Sequence, residues 1–471
     1  MRSRILLLIP LGVLLIYATL LHNAFIGNDD AMLITANPLI LGGGWHSIVK
    51  MFHSYDPELY IPLTLLSFKA EYVLFGANPL PYHATNIVLH SLNALLVYLL
   101  IRHWTNRKSV ACLAALLFAV HPVNAEAVSW IAGRKDLLSA TFFLAALLSY
   151  EKRQKTACTL LLYLLALLAK GNAVSLPAVL LLTEYSKGRI LNRKVMLRLL
   201  PYFLLAIVFL LVGLFGKTDR LAEMPPVLML VFAGKSILLQ LQHSMLPTRL
   251  SPTYPEIFAD PTVLVLWIPL LLVFLTGGVL WAKRRQAPDL FFGYFFFLLT
   301  LAPSFLVCSK GVPYFTTTSD RYAYLPLVGI LYVFALGFAH LWEGRKQEMK
   351  VLLCGILLLF GFFSHVQAQN WNNDQSVLRM MIRSYPDFGM SYYHLGDFLA
   401  EDGEQEEAIV QYKEGILHEK KSPVIRGLLY FHLGKALREA GQTDQAQAAL
   451  VKSQELLPEF EELRRLLEEM E

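Results

Sequence analysis

The chain places two adjacent carboxylates, Asp29 and Asp30, just after its first long apolar run, where a membrane-crossing segment must end. A carboxylate at such a boundary can accept a proton, hold a cation or attract a cationic group. A polar helix end is the plain alternative, and the pair alone leaves both readings open. Two further clusters of charge sit between apolar segments. The stretch from His121 to Asp136 gathers His121, Glu126, Arg134, Lys135 and Asp136 into one short turn, which is costly near lipid unless the charges are used or paired. Arg134 and Lys135 suit a phosphate, the first bidentately and the second as a point charge, whereas pairing with Asp136 would make them simple stop signals. The stretch from Ser319 to Pro326 carries Arg321 beside Tyr322 and Tyr324, residues that favour the interface and can stack on a sugar or hydrogen-bond a headgroup. One acidic and two or three basic sites on the same side of a membrane form a pocket for a phosphorylated amphiphile.

The elements that must position these residues are membrane helices. Hydrophobic residues make up 55% of the 471 and charged residues 16%, with a mean hydropathy of +0.48, which marks a polytopic membrane protein. The net charge of +5 collects in loops and does not call for nucleic acid. The four cysteines, Cys112, Cys158, Cys308 and Cys354, show no CxxC spacing, which argues against a zinc site or a disulfide framework. Basic clusters fall at Arg2 and Arg4; Arg102, Arg107 and Lys108; Lys152, Arg153 and Lys155; Lys187, Arg189, Arg193, Lys194 and Arg198; Lys283 to Arg285; and Arg345, Lys346 and Lys350. By the positive-inside rule these mark the cytoplasmic face. The expectation is an all-α helical bundle of eleven crossings, at 5–21, 84–101, 109–122, 136–150, 156–169, 173–185, 199–215, 262–281, 290–307, 322–341 and 351–367. The N-terminus is then cytoplasmic and the C-terminus outside. The apolar segment 227–246 is left over, as a re-entrant or interfacial piece or part of a twelfth crossing. The first segment is read as a retained helix, because no small-residue cleavage site follows it.

The first outer loop, 22–83, is longer than any turn requires, which marks it as functional. Within it, 64–75 reads as an amphipathic helix lying in the interface with Lys69 and Glu71 on its polar side. Breaks at His121-Pro122 and at Lys170-Gly171 interrupt apolar runs, and polar backbone at such depth is tolerated only where it lines protein or a watery cavity. The breaks therefore face one cavity on the outer side.

Two domains follow: a membrane domain over 1–368 and a charged helical domain over 369–471. In the second, Leu395-Gly396 matches Leu433-Gly434, Gly403 matches Gly441 and Ala408 matches Ala446, all at a spacing of 38. That is a tetratricopeptide unit of ~34 residues with a short insertion, and the domain is expected to be an α-solenoid outside the membrane. A concave surface for extended peptide is the default expectation, and a structural lid is the alternative.

The ordered motifs resemble the bacterial relatives of the transmembrane-and-tetratricopeptide (TMTC-like) protein O-mannosyltransferases, within the GT-C superfamily. The resemblance covers nearly the whole chain. It rests on Phe25 to Pro38, Pro62 to Thr64, Tyr82-His83-Ala84-Thr85-Asn86, His121-Pro122 to Leu138, Ala169-Lys170 to Pro177, Arg321 to Pro326 and the trailing repeats. Two positions depart from it, since family members resemble Arg-Pro-Leu where Ile61-Pro62-Leu63 stands and Lys-Glu where Lys170-Gly171 stands. The resemblance implies a GT-C membrane fold and transfer of a sugar, a hexose such as mannose, from a polyprenyl-phosphate carrier to a protein hydroxyl at the outer face, with inversion. It also implies Asp29 as general base, with Asp30 orienting the acceptor or binding a divalent cation. Arg134, Lys135, Arg321 and Lys170 are implied at the donor phosphate, and His83, His121, Glu126, Asp136, Tyr322 and Tyr324 elsewhere in the pocket. No P-loop or dinucleotide glycine pattern is present, and no other cofactor or nucleic-acid partner is expected. The implied location is the bacterial inner membrane. A GT-C transferase acting on a glycan or lipid, and a non-catalytic scaffold working through its repeats, are the rival readings.

Overall fold

The computed structural model describes residues 2–55, 59–188, 192–216, 226–256, 263–307, 309–311, 314–316, 318–341 and 346–468. Arg189, Cys308 and Arg345 lie outside the described residues. The chain divides into two compact units, one of 1–250, 260–308 and 317–372, the other of 251–259, 309–316 and 373–471.

The first unit is helical throughout. Among the described residues, six helices are long and apolar enough to cross a membrane by length and composition, and a seventh is gained if the bent pair Lys108–Val120 and Pro122–Ser129 is one span. These make the chain an integral membrane protein. Five of the eleven expected crossings are not among these: Leu7–His22, Thr156–Ala169 and Leu327–Leu341 are apolar helices of fewer than 18 residues, Leu176–Ser186 has 11 residues, and Arg134–Glu151 has 18 residues but carries Arg134, Lys135, Asp136 and Glu151. The leftover segment is itself a qualifying helix, Val227–Met245.

The central element is Pro79–Thr105, started by Asn78, whose side chain accepts from the Leu80 N–H, and stopped by Asn106 in the left-handed conformation (φ 53°). Its apolar residues join a core with Val13, Tyr17, Leu117, Phe118, Phe143 and Leu147. Through that core runs a buried polar stripe, Asn86, His90 and Asn93, at helical spacing on one face. Buried polar groups are tolerated only when paired, and each of these is. The Asn86 amide donates to the carbonyls of Val128, Trp130 and Ile131 at 3.0–3.4 Å. His90 Nδ1 lies 2.8 Å from the Tyr324 hydroxyl, and Asn93 donates to Leu137 O at 3.0 Å and Tyr324 Oη at 3.1 Å. One helix thus braces both the turn 121–136 and the segment around Arg321.

The helix at 62–75 reverses the expected arrangement. Lys69 and Glu71 are buried, while Val73, Leu74 and Phe75 are exposed. The reason lies in partners: the Lys69 ammonium donates to the carbonyls of Leu39, Ile40 and Gly42 at the end of the short helix Pro38–Leu41, and Glu71 pairs with Arg134. Its polar face is consumed inside the protein.

The second unit contains helix hairpins Gly389–Glu401 with Gln405–His418 and Pro423–Glu439 with Thr443–Leu456, flanked by Asp374–Ser384 and Glu461–Glu468. It is not purely helical: a three-stranded antiparallel sheet sets Tyr314–Thr316 between Pro255–Glu256 and Ser309–Gly311, with Pro255 opposite Thr316 and Ser309 opposite Thr316. Gly403 and Gly441 occupy the same turn of each hairpin at φ 86° and 74°, which side chains resist. At Gly396 and Gly434 the paired helices approach so closely that an added Cβ falls 2.4 Å from the Tyr412 ring and 2.6 Å from Leu450. Overpacking of this kind costs about 1–3 kcal/mol. Gly434→Val is therefore expected to speed backbone hydrogen exchange over 423–456 while leaving the helix 79–105 protected; equal protection in both would refute this packing.

Candidate active site

Asp29 and Asp30 end a four-residue helical turn, Gly27–Asp30, that follows the first apolar helix. The chain enters it tethered, since Asn23 Nδ2 donates to Trp371 O at 2.8 Å. The two carboxylates then part company. Asp30 is fully buried, its Oδ2 accepting from the Ile26 N–H at 2.8 Å and its Oδ1 from the Ala132 N–H at 2.9 Å. Burial pushes its pKa up to about 7, with the two N–H donors and Lys135 opposing. Both oxygens of Asp30 thereby go to backbone, one of them bolting the first loop to the turn 131–133, and neither is presented to an acceptor or a cation. Among the described residues no group of three or more His, Cys, Asp or Glu could hold a metal ion. Asp29 is 40% exposed and faces a cavity.

That cavity has about 1060 Å³ of open space. Its polar side carries Asp29, Lys135, Lys170, Asn172, Arg321 and Tyr322. Its apolar side carries Leu59, Ile61, Phe209, Leu210, Val212 and Leu214, the last four on the membrane-length helix Arg193–Phe215. The segments at the two breaks read from the sequence supply two of the cations, and the turn Asp320–Ala323 supplies Arg321. Pro122 lacks an N–H and holds His121 extended, so the chain bends by 50° there, and the helix Arg134–Glu151 restarts with Lys135 at its first turn. Lys170 sits extended between Thr156–Ala169 and the turn 171–175.

Each cation is held by a specific partner. Lys135 Nζ lies 3.4 Å from Asp29 Oδ2 and 4.8 Å from the Trp130 ring centroid. Lys170 Nζ donates to Asp136 Oδ1 at 2.6 Å and lies over Tyr322. Burial lowers its pKa to about 8, reinforced by Arg321 and Lys135 and opposed by Asp136. Arg321 pairs with Glu126 through its guanidinium and donates its backbone N–H to Glu126 Oε2 at 2.8 Å. Its guanidinium is 5.0 Å from both the Trp130 and Tyr322 rings. The Trp130 indole, stacked on Trp371 at 5.9 Å, therefore has both cations within 5.0 Å of its ring centroid, an arrangement that offsets their repulsion.

Arg134 does not belong to this group. It is fully buried, donating Nε to Asn86 Oδ1 at 3.0 Å, Nη2 to Tyr82 O at 2.8 Å and Nη1 to Glu71, and its guanidinium covers the Phe68 ring at 4.6 Å. Each of its nitrogens is bonded inside the protein and it does not line the cavity, so the expectation that it binds the phosphate is corrected. His83 and Tyr324 are also buried away from the cavity, and Tyr324 donates or accepts within the polar stripe. His121 bonds to Ser244 O at 3.2 Å and accepts from the Val123 N–H. Glu126 and Asp136 act behind Arg321 and Lys170, and Tyr322 lines the wall. Sequence reasoning set Glu71 on an interfacial face and overlooked His90, Asn93 and Trp130. Their signal was polar residues at spacings of three and four in an apolar helix, and a lone tryptophan inside a charged turn.

The sequence comparisons place protein O-mannosyl-transferases among the relatives of this chain. Human TMTC1 is 26% identical over 479 residues, covering 85% of this chain and 53% of the relative. Mouse TMTC3 is 45% identical over 93 residues, covering 20% of this chain and 10% of the relative. The chain spans about half the length of the TMTC1 proteins it matches. No family model matches. Among solved structures, the archaeal oligosaccharyltransferase AglB of Archaeoglobus fulgidus, in complex with an inhibitory peptide and a dolichol-phosphate, aligns with a TM-score of 0.43 and 15% identity, over 84% of this chain and 60% of that chain.

Breaking a buried ion pair from one side leaves an unpaired charge, at about 3–5 kcal/mol. Glu71→Ala is thus expected to lower the thermal midpoint of the purified protein more than Lys135→Ala does, although both residues carry a charge; a reversed order would assign Arg134 to the cavity after all.

Proposed function

We propose that the chain is a membrane glycosyltransferase that moves a hexose, mannose by its relatives' names, from a polyprenyl-phosphate carrier to a hydroxyl of a protein acceptor. The observation that carries this reading is the cavity's composition: one exposed carboxylate, Asp29, beside three cations, Lys135, Lys170 and Arg321, with an apolar wall on a membrane-length helix. A lipid-linked phosphate matches that division, its phosphate among the cations and its chain along Phe209, Leu210 and Leu214. By the positive-inside rule the cavity opens on the extracytoplasmic face of a bacterial inner membrane, and the hairpins of the second unit hold the acceptor polypeptide as a tetratricopeptide surface.

In this mechanism Asp29 accepts the acceptor hydroxyl proton as that oxygen attacks the anomeric carbon. The new C–O bond forms opposite the breaking bond to phosphate, so the configuration inverts. The bonding electrons leave with the phosphate oxygen, whose growing charge Lys135, Lys170 and Arg321 stabilise. Asp30 positions Asp29 through the backbone. Lys135, 3.4 Å from Asp29 in the donor-free site, turns to the phosphate when donor enters.

A second reading keeps the chemistry and changes the substrate. Ile61 and Gly171, the two departures from the family pattern, both line the cavity, and an added Cβ at Gly171 meets nothing within 4 Å. The loss of an Arg and a Glu at these places favours a different sugar or a glycan or lipid acceptor.

Transfer of labelled sugar from a lipid-linked donor to peptide tests the mechanism. Asp29→Asn is expected to reduce kcat by about 10²-fold or more, within the range that general-base removal commands, without lowering the thermal midpoint; undiminished turnover would exclude Asp29 as the base. The donor KM is expected to rise as pH passes about 8, where Lys170 loses its charge, and Lys170→Arg is expected to flatten that rise.

A further inference from the structure

A second cavity lies at the other end of the helix that carries Lys135. Arg134–Glu151 has 18 residues, ~27 Å at 1.5 Å each, close to the ~30 Å of a bilayer's hydrocarbon core. Its first turn feeds the candidate active site; beyond its last turn opens a cavity, with about 810 Å³ of space continuous with solvent, lined by Tyr150, Arg153, Gln154, Glu184, Arg198 and Tyr202 among others. The basic residues gathered beyond its last turn, Lys152, Arg153 and Lys155, belong by the positive-inside rule to the face opposite the candidate active site.

The lining is polar and built. Glu184 is 1% exposed and accepts from the Tyr150 hydroxyl at 3.0 Å, with the Arg198 guanidinium 4.0 Å away. Arg153 stands at the lip, exposed and with no ion-pair partner among the described residues. Its backbone is left-handed (φ 54°), a cap conformation that glycine usually takes, and its N–H donates to Tyr150 O at 2.9 Å. Two guanidinia against one carboxylate leave the cavity with a positive balance. The surrounding loops reinforce it: Glu151 is bonded both to His103, at 3.4 Å, and to Lys187. That fixes the basic stretches 102–108, 152–155 and 187–188 to this same end.

We propose that this cavity is a binding site for a phosphate, supplied by a phospholipid headgroup of the leaflet opposite the active site. Arg153 and Arg198 take the phosphate oxygens, geometry that guanidinium matches bidentately. Glu184 with the phenols of Tyr150 and Tyr202 faces the hydroxyl or ammonium that a headgroup carries beyond its phosphate. The site is separate from the sugar-transfer machinery, so it stands or falls independently of the proposed function.

The test uses the full chain in detergent, delipidated, then titrated with phosphatidylglycerol or with inorganic phosphate, followed by native mass spectrometry and thermal unfolding. Wild type is expected to bind phosphatidylglycerol and to unfold at a higher temperature with it. Arg153→Gln and Arg198→Gln are expected to weaken that binding by tenfold or more. Arg153→Gln, an exposed change, should leave the lipid-free midpoint unchanged, which separates loss of binding from loss of fold. Lys108→Gln, the same charge change on the same face outside the cavity, should bind lipid as wild type does. Stabilisation by inorganic phosphate alone, lost in Arg153→Gln, supports the phosphate site but assigns it to a soluble ligand. Lipid binding by Arg153→Gln equal to wild type, or an equal loss in Lys108→Gln, overturns the proposal.

Discussion

A guanidinium withdrawn entirely from water must have its donors engaged, because an unpaired buried charge costs several kcal/mol. Arg134 is such a group, and much of the membrane unit is arranged around it. Glu71 comes from the loop helix, Asn86 and the Tyr82 carbonyl from the central helix, and the Phe68 ring closes one face. Since Arg134 begins the helix that also carries Lys135 and Asp136, satisfying it sets where those two residues point. Thr85 adds a 2.5 Å hydrogen bond to Glu71, so the acid of the pair is held as firmly as the base.

From that anchor outward, charge becomes progressively more available. Asp30, fully buried, ties the first loop to the turn at 131–133. Glu126 and Asp136 are buried acids that orient Arg321 and Lys170. At the outermost layer, Asp29 alone among these acids is substantially exposed. The same residue types thus serve as anchors, as holders and as groups open to a ligand, according to their burial. Trp130 belongs to the holding layer, since its ring carries a cation at two positions and is itself backed by Trp371.

The membrane setting explains why so many ionisable residues sit in so few turns. Polar backbone and charged side chains within an apolar unit survive only where they satisfy one another. The breaks at His121-Pro122 and Lys170-Gly171 provide such places: His90 meets the Ala119 carbonyl at the first, and the Thr64 and Ser139 hydroxyls donate to the carbonyls of Ala169 and Lys170 at the second. The apolar wall on Arg193–Phe215 completes a cavity with one polar and one oily side.

The sequence by itself determined the class of the molecule: an apolar, weakly charged chain of many membrane helices followed by a charged helical repeat. It also located the charged turns, because charge inside an apolar run stands out without any knowledge of contacts. The glycines at 396 and 434 and at 403 and 441 were legible for the same reason, as a repeat at fixed spacing. What only the tertiary structure decided is which member of each adjacent pair does what. Asp29 and Asp30, like Arg134 and Lys135, are neighbours of the same type, and nothing local distinguishes them. The distinction arises from burial and partners: Asp30 meets the Ala132 N–H and Arg134 meets Glu71, across 102 and 63 residues of chain. Lys69 and Glu71 went the same way, drawn inward by partners that hydropathy cannot register. A pattern of residue types shows that charge must be compensated, and only the fold shows by which group.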